Sequence, residues 1–265
     1  MINQERWWGD FHFNEEETKE WVLGDRRFVI HRSSGEWKTW NIETPEESGE
    51  YVFKHSALQA SAELPDHTTL GRYLQHETSE QISVRPMMAD RSMVIRPSVP
   101  LQILAEERIC LYISTPLWFN VKTCPNDVTI MDVPFWRPSD SWFGPSTMSG
   151  EFCYAKYTDA RVNITQLEQR PHRAITPIHV INKRNEALIV ERLSIPVPLL
   201  HLFSDDKHHL WTEEITLTRE SDGDMAKLQL DKVAPPHASN PTLVSKPRTE
   251  SEKNIVFRTL NSLFA

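Results

Sequence analysis

Apolar and polar positions alternate with a period of two along much of this chain. In Arg26 to His31, Phe28 and Ile30 alternate with Arg27 and Val29. In Arg108 to Thr115, Ile109, Leu111 and Ile113 share one face while Cys110, Tyr112 and Ser114 share the other, and the alternation resumes after Pro116 through Leu117, Phe119 and Val121. Side chains of a strand point to opposite faces in turn, so these runs predict half-buried β-strands. Ile175 to Asn182 and Ala187 to Val197 flank the polar Lys183-Arg184-Asn185-Glu186, which reads as a hairpin. Trp211, Ile215 and Leu217 fall on one side of a strand through Trp211 to Thr218, and the Asp-Gly in Ser221 to Asp224 reads as a turn into Met225 to Leu230.

Helical spacing is sparse. Glu15 to Glu20 and Thr69 to Gln75 could each make a turn or two. Ser251 to Phe264 is the best case: Ser251 can cap, and Val256, Leu260, Leu263 and Phe264 form an apolar face. Residues 234–250, rich in Pro, Ser and Asn, read as an extended linker. The expected architecture is mainly β, an antiparallel β-sandwich over residues 1–233 with a short C-terminal helix over 251–265. Two packed β lobes meeting near residues 123–135 are an open alternative.

Composition narrows the function. The 265 residues can bury a real core, and 37 acidic against 29 basic residues leave no diffuse basic field for nucleic acid. With only 8 glycines, the chain holds no G-x-G-x-x-G, G-x-x-x-x-G-K, G-x-S-x-G, H-E-x-x-H or C-x-x-C. Cys110, Cys124 and Cys153 are odd in number and far apart, which argues against a disulfide framework. The start, Met-Ile-Asn-Gln-Glu-Arg-Trp-Trp, is unlike a signal peptide, and no apolar run approaches the roughly 18 residues of a membrane span. A cytoplasmic protein without a transmembrane segment is the expectation.

Several strings carry a resemblance. Val84-Arg85-Pro86, Asp90-Arg91, Val94-Ile95-Arg96-Pro97 and Tyr112-Ile113-Ser114-Thr115-Pro116-Leu117-Trp118 resemble the family known as domain of unknown function 432. Pro138-Ser139-Asp140-Ser141-Trp142-Phe143-Gly144-Pro145, Gly150-Glu151-Phe152-Cys153-Tyr154-Ala155 and Arg173-Ala174-Ile175-Thr176-Pro177 resemble its bacterial branch. The similarity runs from about Trp7 to Leu263. Where the family usually carries a glycine-containing turn before the Tyr112 strand, this chain has Ala105-Glu106-Glu107. The family's activity is unknown, so no catalytic residue carries over. Its members are often encoded near small mechanosensitive channels, and the resemblance therefore implies a membrane-protein partner of that kind.

The candidate surface is Trp118, Trp136, Arg137, Asp140, Trp142, Arg161 and Arg173, because Trp and Arg dominate binding energetics at interfaces. The structural alternative is a corner in which Asp140 accepts backbone N–H groups, Trp142 plugs the sandwich end and Arg161 pairs with Asp159 or Glu151. Asp205, Asp206, His208 and His209, with His172, His179 and His201 elsewhere, show no metal-ligand spacing. No metal and no cofactor are expected. Asp140, Glu151 and Glu191 could supply paired carboxylates, and Cys153 or Ser149 a nucleophile beside His172 or His179, but no spacing favours either. The C-terminal helix could dock on a partner or pack on the chain's own sheet.

The leading expectation is a non-enzymatic binding or regulatory module acting with a membrane channel. A carbohydrate-binding or carbohydrate-processing protein is the second reading, and a small-anion or nucleotide sensor using the arginines the third. A free sheet edge could add strands from another copy, so a homo-oligomer stays open.

Overall fold

The computed structural model describes residues 6–44, 53–57, 65, 70–97, 99–144, 150–158, 161–221, 225–250 and 255–259. It is mainly β, built of several sheets, and its described helical residues are the two short 3-10 turns Ile164–Gln166 and Val197–Leu199. The chain divides into two compact units: Met1–Met87 with Trp118–Phe135 and Arg170–His172, and Met88–Leu117 with Trp136–Gln169 and Arg173–Ala265. Each unit is thus assembled from separated segments, and the stretch 123–135 lies within the first unit.

In the first unit, one antiparallel sheet runs Phe53–Ala57, Thr18–Leu23, Arg26–Ser33, Glu36–Glu43, Leu70–Leu74. A second runs Gly9–His12, Gln81–Met87, Trp118–Cys124, Thr129–Pro134. Aromatic rings join them. Phe28 of the first sheet stacks on Phe119 of the second, centroids 4.1 Å apart and planes 5° apart. Trp21 approaches the same ring edge-on at 5.8 Å, and Trp7 stacks on it at 5.6 Å. The alternation read in Arg26 to His31 is only half observed, because Val29 and His31 are buried as well as Phe28 and Ile30.

In the second unit, Arg173–Asn182 is central. It pairs antiparallel with Arg108–Pro116 from Arg173 to Ile181 and in parallel with Leu210–Thr212 and Ile215–Arg219. Glu213 and Glu214 interrupt what the sequence reads as one strand through Trp211 to Thr218. A four-stranded sheet runs Ser139–Phe143, Glu151–Thr158, Met93–Pro97, Leu193–Ile195, its middle pair parallel.

Four local expectations are corrected. Within the expected C-terminal helix, Ile255–Thr259 is a strand that extends the large sheet against Met225–Leu230. The β-branched Ile255, Val256 and Thr259 suit an extended backbone, and the open strand Met225–Leu230 offers it a ladder. Residues 251–254 and 260–265 lie outside the described residues. Likewise, in place of helical turns, Leu70–Leu74 within Thr69 to Gln75 is a strand, and in Glu15 to Glu20 the strand Thr18–Leu23 opens after a turn with Glu16 at φ 59°. The turn expected at Ser221 to Asp224 falls largely outside the described residues. The expected hairpin across Lys183 to Glu186 does not form, because Leu188–Val190 pairs with Leu101–Ile103 instead. Buried Asn182 fixes that divergence by donating from Nδ2 to the carbonyls of Leu104 at 3.0 Å and Glu186 at 2.8 Å.

The stretch 234–250, read as a linker, contributes Thr242–Ser245, which pairs with Leu202–Ser204, and Ala238, which is buried. In the turn Ala105-Glu106-Glu107, Glu106 takes φ 61°, the left-handed backbone that glycine adopts without cost.

Glu213 has no solvent-exposed side chain, yet it accepts from the backbone N–H of His201 at 2.6 Å and lies 3.1 Å from His201 Nδ1. Burial holds its carboxyl above the ordinary glutamate range, although His201 and the backbone donor pull the other way. A raised native pKa means the folded state holds the proton longer than the unfolded chain. The resulting contribution to stability is present below the ordinary value of 4.5 and is lost as pH rises through the elevated one. Urea midpoints measured upward from pH 4 should therefore fall for the wild type relative to Glu213→Gln; parallel pH profiles would contradict the assignment.

Candidate functional site

Ser139–Phe143 pairs with Glu151–Thr158 so that Asp140 lies opposite Tyr154 and Trp142 opposite Phe152. Residues directly opposite on paired strands share a face. Asp140, Trp142, Phe152 and Tyr154 therefore stand on one side. Phe143 and Cys153 stand on the other, where they form a buried cluster with Val94.

Arg91 assembles the outer face. Its guanidinium lies 4.9 Å from the Phe152 ring centre and 5.3 Å from that of Tyr154, while one nitrogen donates to Asp140 Oδ1 at 3.0 Å. Asp140 Oδ2 accepts from Arg137 at 2.9 Å. The Tyr154 hydroxyl donates to Asp90 Oδ1 at 2.9 Å, and burial, reinforced by Asp90, holds the phenol above its usual range, so it remains a donor. Gly150 completes the arrangement. A Cβ there would lie 2.4 Å from Trp142 Nε1 and 2.7 Å from the Phe143 carbonyl, so the indole occupies space that only glycine leaves open.

Around these contacts large aromatic side chains stay partly exposed: Trp136 is 45% exposed, Trp142 40% and Phe152 55%. Half-exposed ion pairs contribute about 0.2–1 kcal/mol each, and an exposed cation–π contact about 0.5–1 kcal/mol. These contacts orient the side chains but do not by themselves account for large aromatic faces left in water.

Of the sequence candidates, Trp136, Arg137, Asp140 and Trp142 lie on this continuous stretch. Trp118 is buried at the start of Trp118–Cys124, in the other unit. Arg173 donates to Ser114 Oγ and to the Ser114 carbonyl, both at 2.7 Å, and Lys156 donates to the same carbonyl at 2.7 Å. It braces two strands. Arg161 exchanges backbone hydrogen bonds with Tyr112. Its suggested partner Asp159, like Ser149, lies outside the described residues.

Arg91, Phe152 and Tyr154 escaped the sequence reading. The alternation of Phe152 and Tyr154 with Cys153 was the available signal for the last two; Arg91 meets Asp140 only through tertiary folding.

The remaining chemical candidates are dispersed. His179 pairs with Glu214 at 3.2 Å, His201 with Glu213, and His209 with Asp205 at 3.1 Å. Among the described residues no three His, Cys, Asp or Glu side chains converge as metal ligands. Burial pushes the Cys153 thiol up to about 11, which leaves almost no thiolate near neutrality. Glu151 accepts from Ser194 at 3.3 Å, and Glu191 is exposed.

Compared with known protein families, the chain matches Protein of unknown function (DUF432) over residues 7–264. The chain belongs to this family. No curated protein and no solved structure matches it. No helix among the described residues is long and apolar enough to cross a membrane.

Proposed function

We propose that this family member is a non-enzymatic binding module whose contact surface is the face of Trp136, Trp142 and Phe152 ordered by Arg91. The observation that carries the reading is the Arg91 guanidinium, held over two aromatic rings and bonded to Asp140 beside exposed tryptophan. Large, rigid aromatics beside a pre-oriented arginine supply contact area at low entropic cost, the pattern of energetic hot spots. Following the family resemblance, its partner is the cytoplasmic part of a mechanosensitive channel, and the chain acts in the cytoplasm. The two sheets of the first unit, joined by stacked aromatic rings, are read as a β-sandwich.

A sugar site would need convergent, available carboxylates in a groove. Here both oxygens of Asp140 accept from arginines, which favours a protein interface over the carbohydrate reading.

The test is affinity capture from detergent-solubilised membranes of the native host, with the full chain as bait. The channel should be recovered by the wild type and lost with the Arg91→Ala, Trp142→Ala double variant, both baits having matching melting curves. Equal recovery by both would remove this face from the interface, and failure of the wild type to recover any channel would remove the partner.

A further inference from the structure

A cleft of about 460 Å³ opens elsewhere in the second unit, between the 3-10 turn Ile164–Gln166, the turn at residues 205–209 and the segment around His237. Trp211 lines it and belongs to a buried cluster with Tyr112, Ile175 and Ala238, against which the lining residues Ile164 and Leu167 also pack.

Buried Asp205 shapes the rim. Its Oδ1 accepts from the backbone N–H groups of Lys207 and His209, each at 2.9 Å. Its Oδ2 lies 3.1 Å from both His209 Nδ1 and Trp211 Nε1. A carboxylate offers about four lone-pair sites, so Asp205 is saturated. What faces the cleft is the imidazole that Asp205 orients, with Nε2 as its remaining nitrogen. His237 is fixed in the same manner by Nε2 against the Tyr112 hydroxyl at 2.9 Å, leaving Nδ1. Burial pushes that phenol up to about 12, so it stays protonated. The exposed Lys207 makes no side-chain hydrogen bond or ion pair among the described residues.

We infer that this cleft binds a small anion of the phosphate class, free phosphate or a phosphate monoester, through Lys207, His209 and His237. Lysine binds phosphate as a point charge, and hydrogen bonds between ionised partners are roughly twice as strong as neutral ones. Because Asp205 holds His209 at Nδ1, Nε2 is the ring nitrogen left to meet an anion. Asp206, exposed on the same rim, is the carboxylate that opposes an anion, and it makes the proposal sharply testable.

Calorimetric titration of the full chain with inorganic phosphate, at constant ionic strength set by chloride, should show binding in the millimolar range or tighter. Lys207→Ala and His209→Gln should each weaken it about tenfold, whereas Asp206→Asn should strengthen it about two- to fivefold. Lys207 and Asp206 are exposed, so those two variants are expected to melt like the wild type. Glycerol 3-phosphate binding more tightly than phosphate would identify a monoester as the ligand; equal or weaker binding would identify the free ion. No heat of binding with the wild type, no loss in Lys207→Ala, or weaker binding in Asp206→Asn would overturn the proposal. None of these variants touches the Arg91 face, so the two sites stand or fall separately.

Discussion

Phe119→Ala is expected to cost about 3–5 kcal/mol of stability, a large fraction of what a domain of this kind holds in reserve. The Phe119 ring is fully buried, and four aromatic side chains meet it: Phe28 and Trp7 by stacking, Trp21 and Phe135 edge-on. Truncation removes the ring's own transfer free energy and leaves a cavity between two sheets whose facing residues are too rigid to refill it. Phe119→Leu, which keeps most of the volume, should lose roughly half as much. Denaturant midpoints with an unchanged slope would measure this. A loss of under about 1 kcal/mol for the alanine variant would mean that this ring is not what holds the two sheets together.

The second large effect is at Arg32, a buried guanidinium in the same unit. It donates to the Phe13 carbonyl at 2.9 Å, the Thr78 carbonyl at 3.0 Å and Thr78 Oγ1 at 3.1 Å. Its planar fork thus ties two separate loops to the end of Arg26–Ser33. Arg32→Met fills similar space but deprives two backbone carbonyls of this donor, so the expected loss is about 3 kcal/mol. Arg32→Lys should recover only a minor part, because one ammonium cannot reproduce the fork. Hydrogen exchange at Thr78 and Phe13 gives a local readout. If Arg32→Lys were as stable as the wild type, charge rather than geometry would be the requirement.

Strand positions were legible from the side-chain period; one-sided burial was not. Arg108–Pro116 and Trp118–Cys124 are strands, each with a partner along its length, but Leu111, Tyr112 and Ile113 are buried in succession, as are Trp118 to Val121, because both faces of these strands are covered. Ile255–Thr259 is a strand where a helix was expected, because Ile255, Val256, Phe257 and Thr259, β-branched or apolar, suit either spacing and only the neighbouring edge at Met225–Leu230 decides between them. The parallel pairings of Arg173–Asn182 were invisible for the same reason: which strands meet depends on chain reversals that local pattern does not encode.

The site divides along the same line. Arg137 and Asp140, three residues apart, pair locally and were found. Arg91 was not, since it reaches Asp140 across 49 positions of sequence. Trp118 and Arg173 share the residue types of a binding surface, but one starts a strand with covered faces and the other spends its guanidinium on Ser114. Composition identifies groups that can bind; exposure and existing partners determine which remain available.

A partner seated on the Arg91 aromatic face would shield the strands beneath it. Hydrogen–deuterium exchange of the full chain, alone and with whatever partner affinity capture recovers, reads that shielding. Slowed exchange is expected in Ser139–Phe143 and Glu151–Thr158, the paired strands that carry Trp142 and Phe152, with little change in Thr242–Ser245 at one end of the large sheet. Protection confined to Thr242–Ser245 or to the first unit, with Ser139–Phe143 unaffected, would contradict it.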